Sequence, residues 1–186
     1  MTTDAHEKTI LGFWVYLLTD VMMFATIFAT YLVLQNSSMA KQIFDLEYAT
    51  IETILLLCAS FAAGAAGVMS HRGEKRKVYY LFGLTFFIGA IFFAMQMGEF
   101  HRLIQSGHGW QESGFLSMFF TLIGTHALHM VFALLWTLLL LFLLQRDGLT
   151  PTMITRFTCL RMFWQVLNVV WVFIFCIVYA LGIYAK

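Results

Sequence analysis

The sequence predicts an all-α polytopic membrane protein: one domain over residues 1–186, built as a bundle of five transmembrane helices. Three observations predict it. The chain is 61% hydrophobic and 11% charged, whereas a soluble domain is near half apolar and about a quarter charged. Five apolar runs reach the roughly 20 residues needed to cross the hydrocarbon as helix. The basic residues also collect in alternate connections, as they do in a polytopic protein with a fixed orientation. The net charge of +1 says nothing about nucleic acid, and no basic patch with interleaved aromatics appears, so no nucleic-acid partner is expected.

Residues 1–9 (MTTDAHEKT) are polar and lack the basic start of a signal peptide, so the first helix is expected to be retained. It runs over 10–34, with Asp20 about 15 Å into it at about 1.5 Å per residue, near mid-membrane. A polar connection, 35–47, leads to helix two over 48–70, with Glu52 near its start. The second half of helix two holds Ala62, Ala63, Gly64, Ala65, Ala66 and Gly67. Small residues let helix backbones approach closely, so Gly64 and Gly67 are expected on a tight helix contact. The most basic connection, HRGEKRK over 71–77, precedes helix three over 78–103, which ends in MGEFHRL with Glu99 and His101.

Helix four is expected over 113–144, longer than a membrane needs, so it should tilt or protrude. Its middle carries Gly124, Thr125, His126 and His129 in the stretch GFLSMFFTLIGTHALHM. The two histidines are three apart and share a helix face. Gly124 is a further candidate for close packing. A short connection with Gly148 and Pro151 precedes helix five over 159–184. With the N-terminus cytoplasmic, Lys8, Arg72, Lys75, Arg76, Lys77, Arg146 and Arg156 all lie inside and Arg161 at that boundary. Lys41, Arg102 and Lys186 lie outside, so the C-terminus is expected on the periplasmic side. Trp14, Trp110 and Tyr184 sit where interface anchors belong. Cys58, Cys159 and Cys176 are far apart in apolar runs and form neither a CxxC motif nor a disulfide framework.

Ionisable groups at membrane depth are costly unless paired or facing an internal cavity. Asp20, His126, His129 and Asn168 form the deep set, and Glu52 and Glu99 lie closer to the outer face. By helix rise, His126 and His129 lie about 18 and about 22 Å from the outer entry of their helix, and Asn168 about 9 Å above Met162. These heights predict contacts of Asp20 with His126 and of His129 with Asn168, with Asp20–His129 as an alternative. Three readings compete. A haem or metal ligated by the histidines lacks a facing histidine at mid-depth and a third ligand at usual spacing. A proton path lacks a carboxylate series crossing the bilayer. A buried hydrogen-bonded network that sets helix packing is the reading the residue types favour. No GxSxG, HExxH or glycine-rich phosphate loop is present, so hydrolytic chemistry is disfavoured.

Several runs together resemble subunit III of the haem–copper respiratory oxidases. GFWVYLLTDVMMFATIFATY resembles that family's third helix, with Asp20 at its buried carboxylate. ETILLLCAS (52–60), QMGEF (96–100), GFLSMFF with GTHALH (114–129) and FWQVLNVVWVFIF (163–175) follow in family order. Starting at the third family helix is similar to the five-helix bacterial quinol oxidases of the cytochrome o type. The chain departs from the family at Gln165 and Asn168, where a histidine and an aspartate are usual; neither replacement carries charge, which favours a structural network.

The resemblance implies a non-catalytic subunit of a terminal oxidase in a bacterial inner membrane, packed on subunit I, with subunits II and IV in the same complex. It also implies bound phospholipid and support of turnover and proton uptake, with haem and copper held by subunit I. The alternative is an independent proton-coupled transporter using Asp20, His126 and His129; a third class is a cytochrome b-like haem anchor.

Overall fold

A computed structural model of the chain describes residues 3–34, 46–107, 111 and 113–180. These residues are helical throughout, apart from short turns, and contain no strand. The helices are α1 (Thr3–Leu34), α2 (Leu46–His71), α3 (Lys75–Gln105), α4 (Gly114–Asp147) and α5 (Pro151–Ile174), followed by a π-helical segment, Phe175–Ala180. Five spans among them are long and apolar enough to cross a membrane. In hydrocarbon no water is available for backbone groups, so each crossing segment must satisfy its own, which the helix does.

The helix ends differ from the sequence expectation in instructive ways. The sequence places a connection up to 155 and begins the fifth helix at 159; the structure begins it at Pro151. Thr150 caps this helix by accepting from the Met153 amide at 3.3 Å, and Pro151 occupies the first turn. A proline there loses no hydrogen bond, because the first-turn amides have no helical acceptor. Gly148, at φ 74°, ends α4 in a left-handed conformation that favours glycine, so the turn is only a few residues long. The basic stretch also closes more tightly than a loop over 71–77 implies. Gly73 turns at φ 75° and α3 starts at Lys75, with Lys77 paired to Glu74 at 2.6 Å. The expected anchors Trp110 and Tyr184, His108, the 35–45 connection and residues 181–184 of helix five lie outside the described residues. Trp14 is exposed on the bundle surface.

The central element is α5, which packs against α1, α2 and α4, while α1 touches α4 and α5 and buries least of itself. The α2–α3 pair is the most extensive contact. On α2, Ala59, Ala62, Ala63 and Ala66 are buried, and Thr85 of α3 donates to the Ala59 carbonyl at 3.5 Å. Lipid tails are as apolar as leucine, so packing and a few polar links must hold the helices together. Trp164 Nε1 donates to Thr137 Oγ1 at 3.1 Å, Trp171 Nε1 to Thr53 Oγ1 at 3.1 Å and Tyr48 Oη to the Met95 carbonyl at 3.0 Å. Such links in membranes average about 0.6 kcal/mol each, so they set register more than they supply stability.

The close approach expected at Gly64, Gly67 and Gly124 is made by only one of them within this chain. A Cβ added at Gly64 or Gly124 would meet nothing within 4 Å, whereas at Gly67 it would come within 2.5 Å of Arg161 Cδ. The tightest rigid contact lies elsewhere, at Gly89 of α3, where an added Cβ would lie 2.5 Å from Trp164 Cη2 and 3.3 Å from Leu134 Cδ2. The three cysteines are free: Cys159 is buried, and Cys58 and Cys176 are exposed.

Candidate functional site

The polar residues inside the bundle form two clusters. The first lies where α1, α4 and α5 meet. Asp20 and His129 face each other, with Oδ2 and Nε2 3.9 Å apart and each side chain about 15% exposed, at 16% and 14%. That is beyond direct hydrogen-bond range. His129 Nδ1 donates to the Thr125 carbonyl at 2.8 Å, one turn back on its own helix. A carbonyl only accepts, so Nδ1 carries hydrogen and Nε2 is the nitrogen offered to the carboxyl.

His126 does not pair with Asp20 as the helix heights suggest. It is fully buried, and Nε2 donates to the Leu167 carbonyl at 3.3 Å, which leaves Nδ1 without a hydrogen-bond partner. The rings of Trp171, Phe92 and Phe24 surround it, with centroids 5.2, 6.1 and 6.5 Å away. Asn168 is half-buried; its Oδ1 has no partner, and the expected His129–Asn168 bond is not made. Gln165 is exposed and stands outside the cluster. Helix rise fixes depth but not rotation about the axis, and the rotation of α4 aims His129 rather than His126 at Asp20.

The Asp20–His129 pair opens sideways. Tyr16, one turn before Asp20, lines a recess of about 360 Å³ on the bundle's outer face with Leu128, His129, Val131, Phe132 and Leu135. Two partly exposed ionisable groups at membrane depth are poor neighbours for lipid.

The second cluster lies toward the end where α2 begins and α3 ends. Glu52 of α2 and Glu99 of α3 belong to it, and both are buried inside the bundle, 0% and 2% exposed. Tyr179, on the π-helical segment, donates its hydroxyl to Glu99 Oε2 at 2.9 Å. Gln96 of α3 and Tyr31 of α1 are also fully buried. Neither Glu52 oxygen, neither Gln96 amide atom, nor the Tyr31 hydroxyl has a hydrogen-bond partner. Arg102 sits at the rim, its guanidinium 5.5 Å over the Tyr48 ring. Gln96, Tyr31 and Tyr179 are residues the sequence pattern does not single out. The one available signal was Gln96 and Glu99 three apart on one helix face.

Both mid-depth histidines come from one helix, α4, and no group of three or more metal-ligating side chains occurs among the described residues. The isolated chain is therefore expected to contain no stoichiometric haem, copper, iron or zinc, checked by its visible spectrum and metal analysis. A Soret band that follows the purified chain and disappears in His126→Ala would contradict this.

Comparison with known proteins gives a consistent result. The family model described as cytochrome c oxidase subunit III matches residues 2–183. A Pseudomonas putida protein named cytochrome bo(3) ubiquinol oxidase subunit 3 is 44% identical over 184 residues, covering 97% of this chain and 89% of its own. Its Pseudomonas aeruginosa counterpart is 43% identical over 183 residues, covering 96% and 88%. A Bacillus sp. (strain PS3) protein named cytochrome c oxidase subunit 3 is 35% identical over 185 residues, covering 97% and 89%.

Proposed function

The chain belongs to the cytochrome c oxidase subunit III family, and from that premise we propose that it is the five-helix, non-catalytic subunit III of a bacterial quinol oxidase. The observation that carries this is the match over nearly its whole length to relatives named as subunit 3 of cytochrome bo(3) ubiquinol oxidases. The more similar of the relatives cited are quinol oxidase subunits and the less similar one is a cytochrome c oxidase subunit, which favours quinol as the donor of the complex. The independent-transporter alternative has no support from these relatives.

The first cluster fits a subunit better than a solitary protein. Exposed apolar helix faces are ordinary in lipid, but the recess beside Asp20 and His129 is not, because it presents polar groups at membrane depth. A neighbouring chain or bound phospholipid covering that face removes the cost. We take this face as the one that meets subunit I, which would hold the haem and copper; subunits II and IV complete the complex. The basic connections support an inner-membrane orientation with the N-terminus cytoplasmic.

Affinity purification of the tagged chain from solubilised bacterial membranes is expected to bring down a large subunit with haem and copper in stoichiometric amount. Purification of the chain alone, from cells that express such an oxidase, would refute the assignment.

A further inference from the structure

We propose that the hollow where α3 begins and α4 ends, together with the apolar groove between α2 and α3, holds one anionic phospholipid of the phosphatidylglycerol class. Its phosphate lies among Lys75, Arg76, Tyr79, Tyr80 and Gln145, and one acyl chain lies against Leu84 and Ile88. The site shares no residue with the recess beside Asp20 and His129 and does not rest on the identity of the surrounding complex.

The two hollows are joined along α3. The first, of about 350 Å³, is lined by Lys75, Arg76, Tyr79 and Tyr80 of α3 and by Gln145 of α4. The second, of about 590 Å³, lies between Leu81, Leu84 and Ile88 of α3 and Leu57, Ala62 and Ala65 of α2. Arg76, Tyr80, Leu84 and Ile88 are spaced four apart on α3, and this row runs from the one hollow into the other. From Arg76 to Ile88 the helix rises about 18 Å, and one leaflet of a roughly 30 Å hydrocarbon core is about 15 Å deep. The α2 wall has the same depth, because the two helices run antiparallel from the turn at Gly73. Ala65 lies about 9 Å and Leu57 about 21 Å from His71, against about 9 Å for Leu81 and about 20 Å for Ile88 from Lys75. The hollows thus have the order and length of one lipid in one leaflet, a polar end and then an apolar trough.

The charges select the headgroup. Glu74 and Asp147, the acidic residues beside this hollow in sequence, are paired with Lys77 at 2.6 Å and Arg146 at 3.5 Å. Lys75 and Arg76 make no ion pair among the described residues; the Arg76 guanidinium lies 5.8 Å over the Tyr80 ring. Two cations without a counter-ion at the edge of the hydrocarbon attract an anionic headgroup, and basic hollows between transmembrane helices recur as sites of this kind. Phosphatidylethanolamine carries an ammonium beside its phosphate and would set a third cation among them. The hydroxyls of phosphatidylglycerol instead meet groups that both donate and accept, the phenols of Tyr79 and Tyr80 and the Gln145 amide. Tyr80 is exposed, and tyrosine is at home at headgroup level.

The groove supplies retention. Ala62 and Ala65 present only methyl groups to it, so the space between α2 and α3 stays open, while Leu57 and Leu84 stand exposed at its edges. Any lipid tail fits such a trough, so selectivity comes from the cationic end. Because headgroup and tail are one molecule, holding either raises the effective concentration of the other at its own hollow.

The test counts lipid bound per chain by native mass spectrometry, on the full chain purified from membranes with its neighbours, so its outcome is independent of the pull-down above. Offered equal phosphatidylglycerol and phosphatidylethanolamine with the same acyl chains, the protein is expected to retain phosphatidylglycerol. One Lys or Arg near a membrane surface changes anionic-lipid binding about fivefold, so Lys75→Gln and Arg76→Gln should each lower the preference by about that factor. Ala65→Phe places a ring in the open groove and should lower retention of both lipids alike, with the preference unchanged. Arg72→Gln, an exposed cation of the same connection outside the hollow, should change neither. The two charge variants alter exposed side chains and decide the question even if Ala65→Phe does not fold. Equal retention of the two lipids, or an effect of Arg72→Gln as large as that of Arg76→Gln, would overturn the proposal by showing only a general surface field. Unchanged retention in a folded Ala65→Phe protein would overturn it by placing the chain elsewhere. Displacement of the lipid by glycerol phosphate, which has the headgroup chemistry without chains, would overturn it by showing a soluble anion in the hollow.

Discussion

Gly89→Leu is expected to abolish recovery of the chain in a folded complex, although its insertion into the membrane should survive. Gly89 lies where α3 meets the indole of Trp164, and even a Cβ would sit 2.5 Å from Cη2 and 3.2 Å from Cζ3. The indole cannot easily retreat. Trp164 is fully buried, its ring is rigid and its Nε1 is held by Thr137 at 3.1 Å. Forcing extra carbons into a close-packed site typically costs about 1–3 kcal/mol, and leucine adds three carbons beyond the Cβ. Gly89→Ala, with only the Cβ, should lower yield and thermal midpoint without eliminating the fold. Helix propensity works the other way, since alanine gains about 0.5–1 kcal/mol over glycine in a helix. The net loss therefore isolates the steric term.

Gly64→Ala and Gly124→Ala serve as controls, because an added Cβ there meets nothing within 4 Å. Gly67→Ala meets the Arg161 side chain, which can swing aside, so its effect should fall between. Trp164→Phe removes the outer edge of the ring and should rescue Gly89→Ala partly, a coupling that a double-mutant cycle measures. Size-exclusion yield and thermal midpoint of the complex are the readouts. If Gly89→Ala behaves as Gly64→Ala does, the contact is not as tight as the structure has it.

Gly89 also shows which features sequence reasoning can reach. Five spans follow from apolar run length alone, because a membrane imposes one length on each crossing. Helix starts are less legible. Pro151 can end one element or begin another, and only the Thr150 cap decides which. The Ala62–Gly67 run announces small-residue packing, and most of it is buried. Gly89 carries no such sign: it stands singly among large apolar residues, and its importance comes from Trp164, 75 positions later in the chain. The polar groups divide the same way. Depth follows from about 1.5 Å of rise per residue, so Asp20 and the histidines were legible as neighbours. Facing direction turns by about 100° per residue, and a small error in helix rotation exchanges His126 for His129. Glu52 and Glu99 read as outer-end residues, yet that they lie inside the bundle depends on where α5 and its π-helical segment sit, which no local pattern encodes.

Asp20→Leu is expected to loosen the subunit's attachment and leave oxygen reduction intact. The carboxyl is the polar group facing His129 Nε2, at 3.9 Å, while His129 Nδ1 is already bound to Thr125. Because Nδ1 carries hydrogen, a neutral ring turns a lone pair toward the carboxyl. A favourable contact then needs a proton between them, held by either partner or relayed by a water. Leucine can supply neither donor nor acceptor, and the imidazole would face the recess beside Tyr16 alone. An unsatisfied buried group costs about 1–3 kcal/mol. The pair is partly exposed and not in direct hydrogen-bond contact, so the lower end, about 1 kcal/mol, is the fitting expectation. Asp20→Asn keeps a donor and an acceptor at the same place and should assemble normally. His129→Ala should match Asp20→Leu, and the double variant should cost little more than either single one, since each removes the same interaction. His126→Ala should differ from both. It opens a cavity among Trp171, Phe92 and Phe24 and should act through packing, independently of Asp20. The readouts are retention of the subunit through detergent purification and oxygen consumption of the complex. An Asp20→Asn complex that assembles fully yet cannot reduce oxygen would show that this carboxyl takes part in the reaction, and that a packing role is not enough to describe it.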